Sequence, residues 1–432
     1  MTRAWLKLFP AIVVAIAAAC GPAGSATAPS ASAPTATTGA SSSAAPSASA
    51  KASPSASASA SASGAALTSA TKAADLRVGL NLLLMDHVYI TAQATDQALI
   101  GNTAGFNAAA ATLDKNTLAL GNAIGAAYGD AAKTTFVELW RKHIGFFVAY
   151  TQAIAKNDAA GKAKADADLD GYRKDFDAFI TGANPNLPKG AVADLLVSHV
   201  KGLESMIDAQ AAKDPTWPEK AMTAAGHSQK IADPLSGAIA KQFPEKFPGD
   251  PASKAADLRV ALDLLLDEHV HLTSFATGAA LGANNAGFDQ AAATLDKNTV
   301  GLANAIGSVY GDPAKSTFVE LWRKHIGFFV NLTKGVAAKD QAMQDKAKAD
   351  LDGYRKDFDA FITGANPNLP KGAVADLLVP HVTGISAFIT DQSTKSDKSF
   401  DDIETAANHS QKIADPLAEA IVKQFPDKFP GK

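Results

Sequence analysis

The chain has a single cysteine among its 432 residues, so no intramolecular disulfide can form and whatever folds must be held by its core. It has no basic run either. Its 40 lysines and arginines are interspersed with 43 aspartates and glutamates, and the formal charge is -3, which argues against nucleic acid or anionic lipid as a target. No window alternates apolar and polar residues for long enough to read as a strand. A nucleophile elbow, a phosphate loop, a dinucleotide fingerprint and a zinc-protease motif are all lacking, which leaves no residue to nominate as nucleophile or base.

No long apolar run is present at the N-terminus. The stretch from Ala11 to Ala19 is too short to span a bilayer as a permanent helix, and Arg3 and Lys7 precede it, as in a secretory signal peptide. The run ends at the lone cysteine. Ala17-Ala18-Ala19-Cys20 resembles the bacterial lipoprotein signal, in which the cysteine receives the lipid and becomes the first mature residue. The expectation is a signal segment over 1–20, lipidation at Cys20, and attachment to the extracytoplasmic side of the cell membrane through that lipid. Loss of Arg3 and Lys7 with the signal moves the formal charge to -5. Residues 21–69 are almost wholly Ser, Ala, Pro, Thr and Gly, with Lys51 the only charge. Such a segment has too little apolar surface to offset its ordering entropy, and as a flexible tether it reaches roughly 40 Å.

What is present is a duplication. Ala73 to Gly249 aligns without a gap on Ala255 to Gly431, at a constant shift of 182 residues, with about two thirds of the positions identical. Each copy is long enough for its own core, which sets expected domains at 70–249 and 250–432. The link between them, Pro248 to Lys254, is short and carries two prolines, so the two should sit close together.

Within a copy the periodicity is helical. Leu76, Leu80, Leu83, Leu84, Val88 and Ile90 form one stripe; Phe106, Leu113, Leu120 and Ile124 a second; and Phe136, Leu139, Trp140, Phe146 and Phe147 the most aromatic one. Leu169 to Ile180, Leu195 to Met206, and Ala221 to Ile231 supply three more. Gly129-Asp130 punctuates the chain, Pro188 is placed to open a helix, and Asp233-Pro234 reads as a cap followed by a first helical position. The expected fold is all-α, two tandem helical bundles of about six helices each.

Eight of the nine histidines form matched pairs between the copies: His87 with His269, His143 with His325, His199 with His381, and His227 with His409. Each copy thus carries one histidine on each of four helices. His143 lies inside the aromatic stripe, His87 among Leu83, Leu84 and Ile90, and His199 among Leu195, Leu196 and Leu203, so three of the four face the core. Several inward histidines on different helices is how bundles build metal sites, here with Asp86, Asp114 or Glu138 as carboxylate candidates and Cu, Zn or Fe as candidate ions. The spacing adds nothing, for H-x-x-x-H and H-E-x-x-H are lacking, as is the pair of E-x-x-H helices of di-iron carboxylate bundles. Asp114-Lys115-Asn116 and the charges of Asp170 to Asp175 read as ion pairs tying helix to helix. The identical loop Asn184 to Pro188 stands out because packing alone rarely dictates loop residues so closely.

Leu-Leu-Leu-x-Asp/Glu-His, Leu-Asp-Lys-Asn-Thr, Ala-Ile-Gly-x-x-Tyr-Gly, Leu-Trp-Arg-Lys-His-Ile-Gly-Phe-Phe and Lys-Gln-Phe-Pro-x-Lys-Phe together resemble a helical domain of secreted bacterial proteins that carries the label copper amine oxidase-like. The resemblance covers each copy nearly end to end. It implies the domain type and an extracytoplasmic setting. It implies no catalytic residue, since the Asn-Tyr setting of the quinone cofactor does not occur in the chain. Two classes of function follow: a tethered binding module holding a metal or small ligand through its histidines, and a structural or protein-interaction module of the cell envelope whose histidines are core residues. An oxygen- or peroxide-handling metalloenzyme is a third.

Overall fold

The structure, a computed structural model, describes residues 68–430. The expected signal segment, Cys20, and the tether up to residue 67 lie outside the described residues. All the regular structure among the described residues is helical, so the fold is all-α. The first copy forms α1 (Lys72–Leu99), α2 (Thr103–Tyr128), α3 (Asp130–Ala155), α4 (Ala159–Ala183), α5 (Ala191–Ala211) and α6 (Trp217–Gln242). The second forms α7 (Lys254–Leu281), α8 (Asn285–Tyr310), α9 (Asp312–Ala338), α10 (Gln341–Ala365), α11 (Ala373–Ser393) and α12 (Ser399–Gln424), followed by a short 3-10 turn at Pro426–Lys428.

The starts of these helices are written locally. Thr71, Asn102 and Asp158 each accept a hydrogen bond from the backbone N–H three residues on, and Ser253, Asn284 and Asp340 repeat the device in the second copy. A single residue joins α2 to α3. Gly129 holds φ of 89° and its counterpart Gly311 86°, a left-handed conformation that a side chain would strain. Two expected boundaries fall elsewhere. Pro188 sits in the loop and α5 starts at Ala191 behind Gly190, also at positive φ. Helix α6 runs on through Pro234, as α12 does through Pro416. Asp233 cannot cap there, because its carboxylate is taken by Arg77, through Nε and Nη2 at 2.8 Å each, and by Asn81 Nδ2 at 2.8 Å.

Helix α1 is the centre of the first copy. It packs against α2, α3, α5 and α6, and α7 does the same in the second copy. A helix covered on several sides has no wide polar face, and more than half of the residues of α1 are buried, Asn81, Asp86, His87 and Thr91 among them. Helix α11 is long and apolar enough to cross a membrane by composition. In this fold it buries Val374, Leu378, His381, Ile385, Phe388 and Ile389 within the bundle.

The identical loop has a structural cause. Asn184 is fully buried, donates through Nδ2 to Tyr128 Oη at 2.9 Å, and accepts through Oδ1 from the N–H of Asn186. The Asp177 carboxylate accepts from the backbone N–H groups of Gly190, Val192 and Ala193, satisfying the first turn of α5 from another helix. Asn366 and Asp359 repeat the arrangement. The expected interhelix ion pairs also form, Arg141 with Asp114 at 2.8 Å and Lys142 with Asp175 at 3.7 Å.

The two copies share their interface by pairs of equivalent contacts. Arg77 reaches Asp257 and Arg259 reaches Asp75; Lys115 pairs with Asp401 and Lys297 with Glu219. Every partner is shifted by the repeat length, so the contact is isologous, an internal dimer on one chain. One apolar cluster runs across it, joining Met85, Val88 and Tyr89 of α1 to Leu272, Phe275 and Ala276 of α7. At the end of the expected tether, Thr68 and Ser69 donate to Glu419 of α12.

Asp177→Ala should strand three backbone donors and lower unfolding stability by about 2 kcal/mol, and Asp359→Ala by a similar amount. Urea denaturation of the two single variants checks this. A loss below about 0.5 kcal/mol in both would mean that the caps are not structural.

Candidate metal centre

The adjacent residues Asp86 and His87 of the buried helix α1 turn to different neighbours, about 100° apart around its axis. His87 turns into its own copy, where His143 of α3 and His199 of α5 meet it. All three are buried, and one ring nitrogen of each lies within 4.8 Å of the others. The second copy reproduces the set with His269 of α7, His325 of α9 and His381 of α11. In each copy the two closest nitrogens are Nε2 atoms 3.3 Å apart, His143 to His87 and His325 to His269.

The separation suits an N–H···N hydrogen bond between the two rings, and it also suits two nitrogens bound at about 2.0–2.1 Å to one tetrahedral ion, which lie about 3.3 Å apart. The aromatic stripe holds the rings in place. Trp140 sets its edge against His87 and His143, with centroids 5.0 and 4.5 Å away, and Tyr172 stacks on His143 at 4.8 Å. Trp322 and Tyr354 repeat these contacts.

The imidazoles are held neutral. Burial pushes His143 and His325 down to about 3, with repulsion from His199 and His381, pushes His199 and His381 to about 4, with repulsion from His227 and His409, and drives His87 and His269 well below the ordinary range. A neutral imidazole is the form that binds a metal. In the second copy, His269 also borders a largely apolar cavity of about 300 Å³ lined by Thr273, Phe288, Ile326 and Phe329.

The remaining sequence candidates are placed elsewhere. His227 and His409 stay outside these groups and are half-buried. His409 Nε2 donates to the Leu377 carbonyl at 3.0 Å, and His227 lies against Gly202 of α5. Of the expected carboxylates, Asp114 is engaged with Arg141 and Glu138 is exposed. Asp86 is buried but faces the other copy, where His271 Nε2 lies 3.2 Å away. His271, the one histidine without a counterpart, was passed over by spacing arguments. Glu268 to His271 is an E-x-x-H run, and Asp267 stands one turn before His271, which is the signal that could have found it.

Comparison of the chain with protein families, with curated proteins and with solved structures returns no match.

Folding lowers the proton affinity of these six imidazoles, so their contribution to stability is full above about 6.5, the unfolded value, and is lost as pH falls toward about 4. Raised carboxyls such as Asp96, at about 6, oppose that trend. The ring signals of the six should therefore show no titration in metal-free protein between pH 7.5 and 5 by histidine-selective NMR. Titration of His143 or His325 near 6.5 would contradict the buried, neutral set.

Proposed function

We propose that the chain is an extracytoplasmic metal-binding lipoprotein, anchored through Cys20, in which each helical repeat holds one transition-metal ion through three imidazoles. The observation that carries this reading is the pair of Nε2 atoms 3.3 Å apart, with a third histidine beside them, present in both copies. The donor set fits the ion. Neutral imidazoles from three rigid helices suit Cu, Zn or Fe, and three protein ligands leave one position open for water or a small ligand. Trp140 and Tyr172 fix ring orientation, and the buried setting would leave the charge of a bound ion weakly screened. The apolar cavity beside His269 supports access by a small molecule in the second copy. Support for the anchor comes from Arg3 and Lys7, the short apolar run and the lone cysteine at its end.

Elemental analysis of the full chain after loading with Cu, Zn or Fe should give one histidine-bound ion per repeat. His143→Ala/His325→Ala should lose both while retaining its helical circular dichroism. Retention of the same metal content by this variant would favour the reading of a structural or interaction module. Separately, Cys20→Ala should release the protein from the membrane fraction, and unchanged fractionation would sink the lipid anchor.

A further inference from the structure

We propose that the interface between the two copies holds a third site, for a divalent cation, built from Asp86 of α1, Asp267 and His271 of α7, and Glu404 of α12.

An isologous interface offers two equivalent places, one on either side of its axis. In the first, Tyr89 Oη donates to Glu268 Oε1 at 2.9 Å and Asn298 Nδ2 donates to Glu268 Oε2 at 2.9 Å, so that carboxylate is satisfied. Met85 and Met222, both in the apolar cluster, are the neighbouring side chains on this side of the equivalence. The second place has Asp86 where the first has Glu268, and His271 where the first has Tyr89. There Met85 is replaced by Asp267 and Met222 by Glu404, while Asn81, two turns before Tyr89, is replaced by Asp263. The copies agree at about two thirds of their positions. These differences nevertheless converge on one spot, where His271 replaces a phenol and Asp267 and Glu404 replace two methionines, while Asp86 keeps the carboxylate of Glu268.

The three carboxyl groups converge on the His271 ring. His271 Nε2 lies 3.2 Å from Asp86 Oδ1, 3.5 Å from Asp267 Oδ2 and 3.8 Å from Glu404 Oε1. Asp86, His271 and Glu404 each place one ligand atom within 4.8 Å of the others. Tyr89 stacks on His271 with centroids 4.8 Å apart and fixes the ring. Asp86, Asp267 and His271 are buried, and Glu404 nearly so. Asp267 is 1% exposed, yet its Oδ2 has no hydrogen-bond partner, and neither has Glu404 Oε1. Among the ion pairs of the described residues, none gives these three carboxylates an arginine or lysine.

Burial and the neighbouring carboxylates push Asp267 and Glu404 well above the ordinary carboxylate range, so without an ion they hold protons, and to ionise around one imidazole they need positive charge. An imidazolium supplies one unit, whereas a divalent cation supplies two and also occupies the unpartnered oxygens. Oxygen donors with a single nitrogen suit Mn(II) and Fe(II) better than the three-imidazole sets do. Mn(II) is therefore the probe that separates this site from those centres.

The experiment is Mn(II) titration of the full chain, followed by electron paramagnetic resonance of the free ion. One bound Mn(II) is expected in the wild type and equally in His143→Ala/His325→Ala, so failure of the histidine centres and failure of this site are told apart. Asp267→Met/Glu404→Met inserts the side chains that the first copy already packs at these positions, and should weaken Mn(II) binding at least about tenfold. It should also abolish the rise in thermal midpoint that Mn(II) gives the wild type. If that variant does not fold, His271→Tyr and Asp267→Asn provide the same comparison one ligand at a time. Absence of Mn(II) binding by the wild type, or unchanged affinity in the variants that fold, would overturn the proposal.

Discussion

Everything in this molecule depends on the burial of α1 and α7. A helix enclosed by its own bundle on most sides and by its twin on the remainder has nowhere to send a polar side chain except into a built environment. Asp86 and His87 on α1, and Asp267, Glu268, His269 and His271 on α7, are all placed under that constraint. Unpaired, each would cost on the order of 1–3 kcal/mol or more. The partners of Asp86, His87, Glu268, His269 and His271 are found on other helices, and those partnerships generate both the histidine centres within the copies and the carboxylate-rich place between them.

Duplication shapes the rest. Reciprocal ion pairs through Arg77 and Arg259, and through Lys115 and Lys297, make the interface self-complementary at these positions. The imidazole sets are kept alike in both halves, down to the Nε2 separation. Positions at the interface, in contrast, have changed unequally: tyrosine and methionine on one side, histidine, aspartate and glutamate on the other. A linked dimer is free to do this, because a mutation in one copy is not imposed on its twin.

The fold was largely legible from local signals. Apolar stripes at helical spacing and the break at Gly129-Asp130 act within a few residues, and they give an all-α chain of about six helices per copy, while two expected boundaries fall elsewhere. Both errors had one cause. Pro188 and Asp233-Pro234 carry helix-start chemistry, but Asp177 and Arg77, distant in sequence, had already claimed the capping role or the cap itself. The inward orientation of His87, His143 and His199 was readable in the same way, from neighbours one turn away.

Sequence by itself determined which side chains would be buried, because burial follows from the periodicity of a single helix. It could not determine which buried side chains would meet. That depends on the azimuth and axial offset of helices packed against one another, quantities set by the fit of whole surfaces. His87 and His143 share a centre, while His227, from an equally plausible helix, does not. Asp86 left the histidines of its own copy for His271 of the other, a partner 185 residues away. Only the tertiary structure, by closing one copy on its twin, decided that.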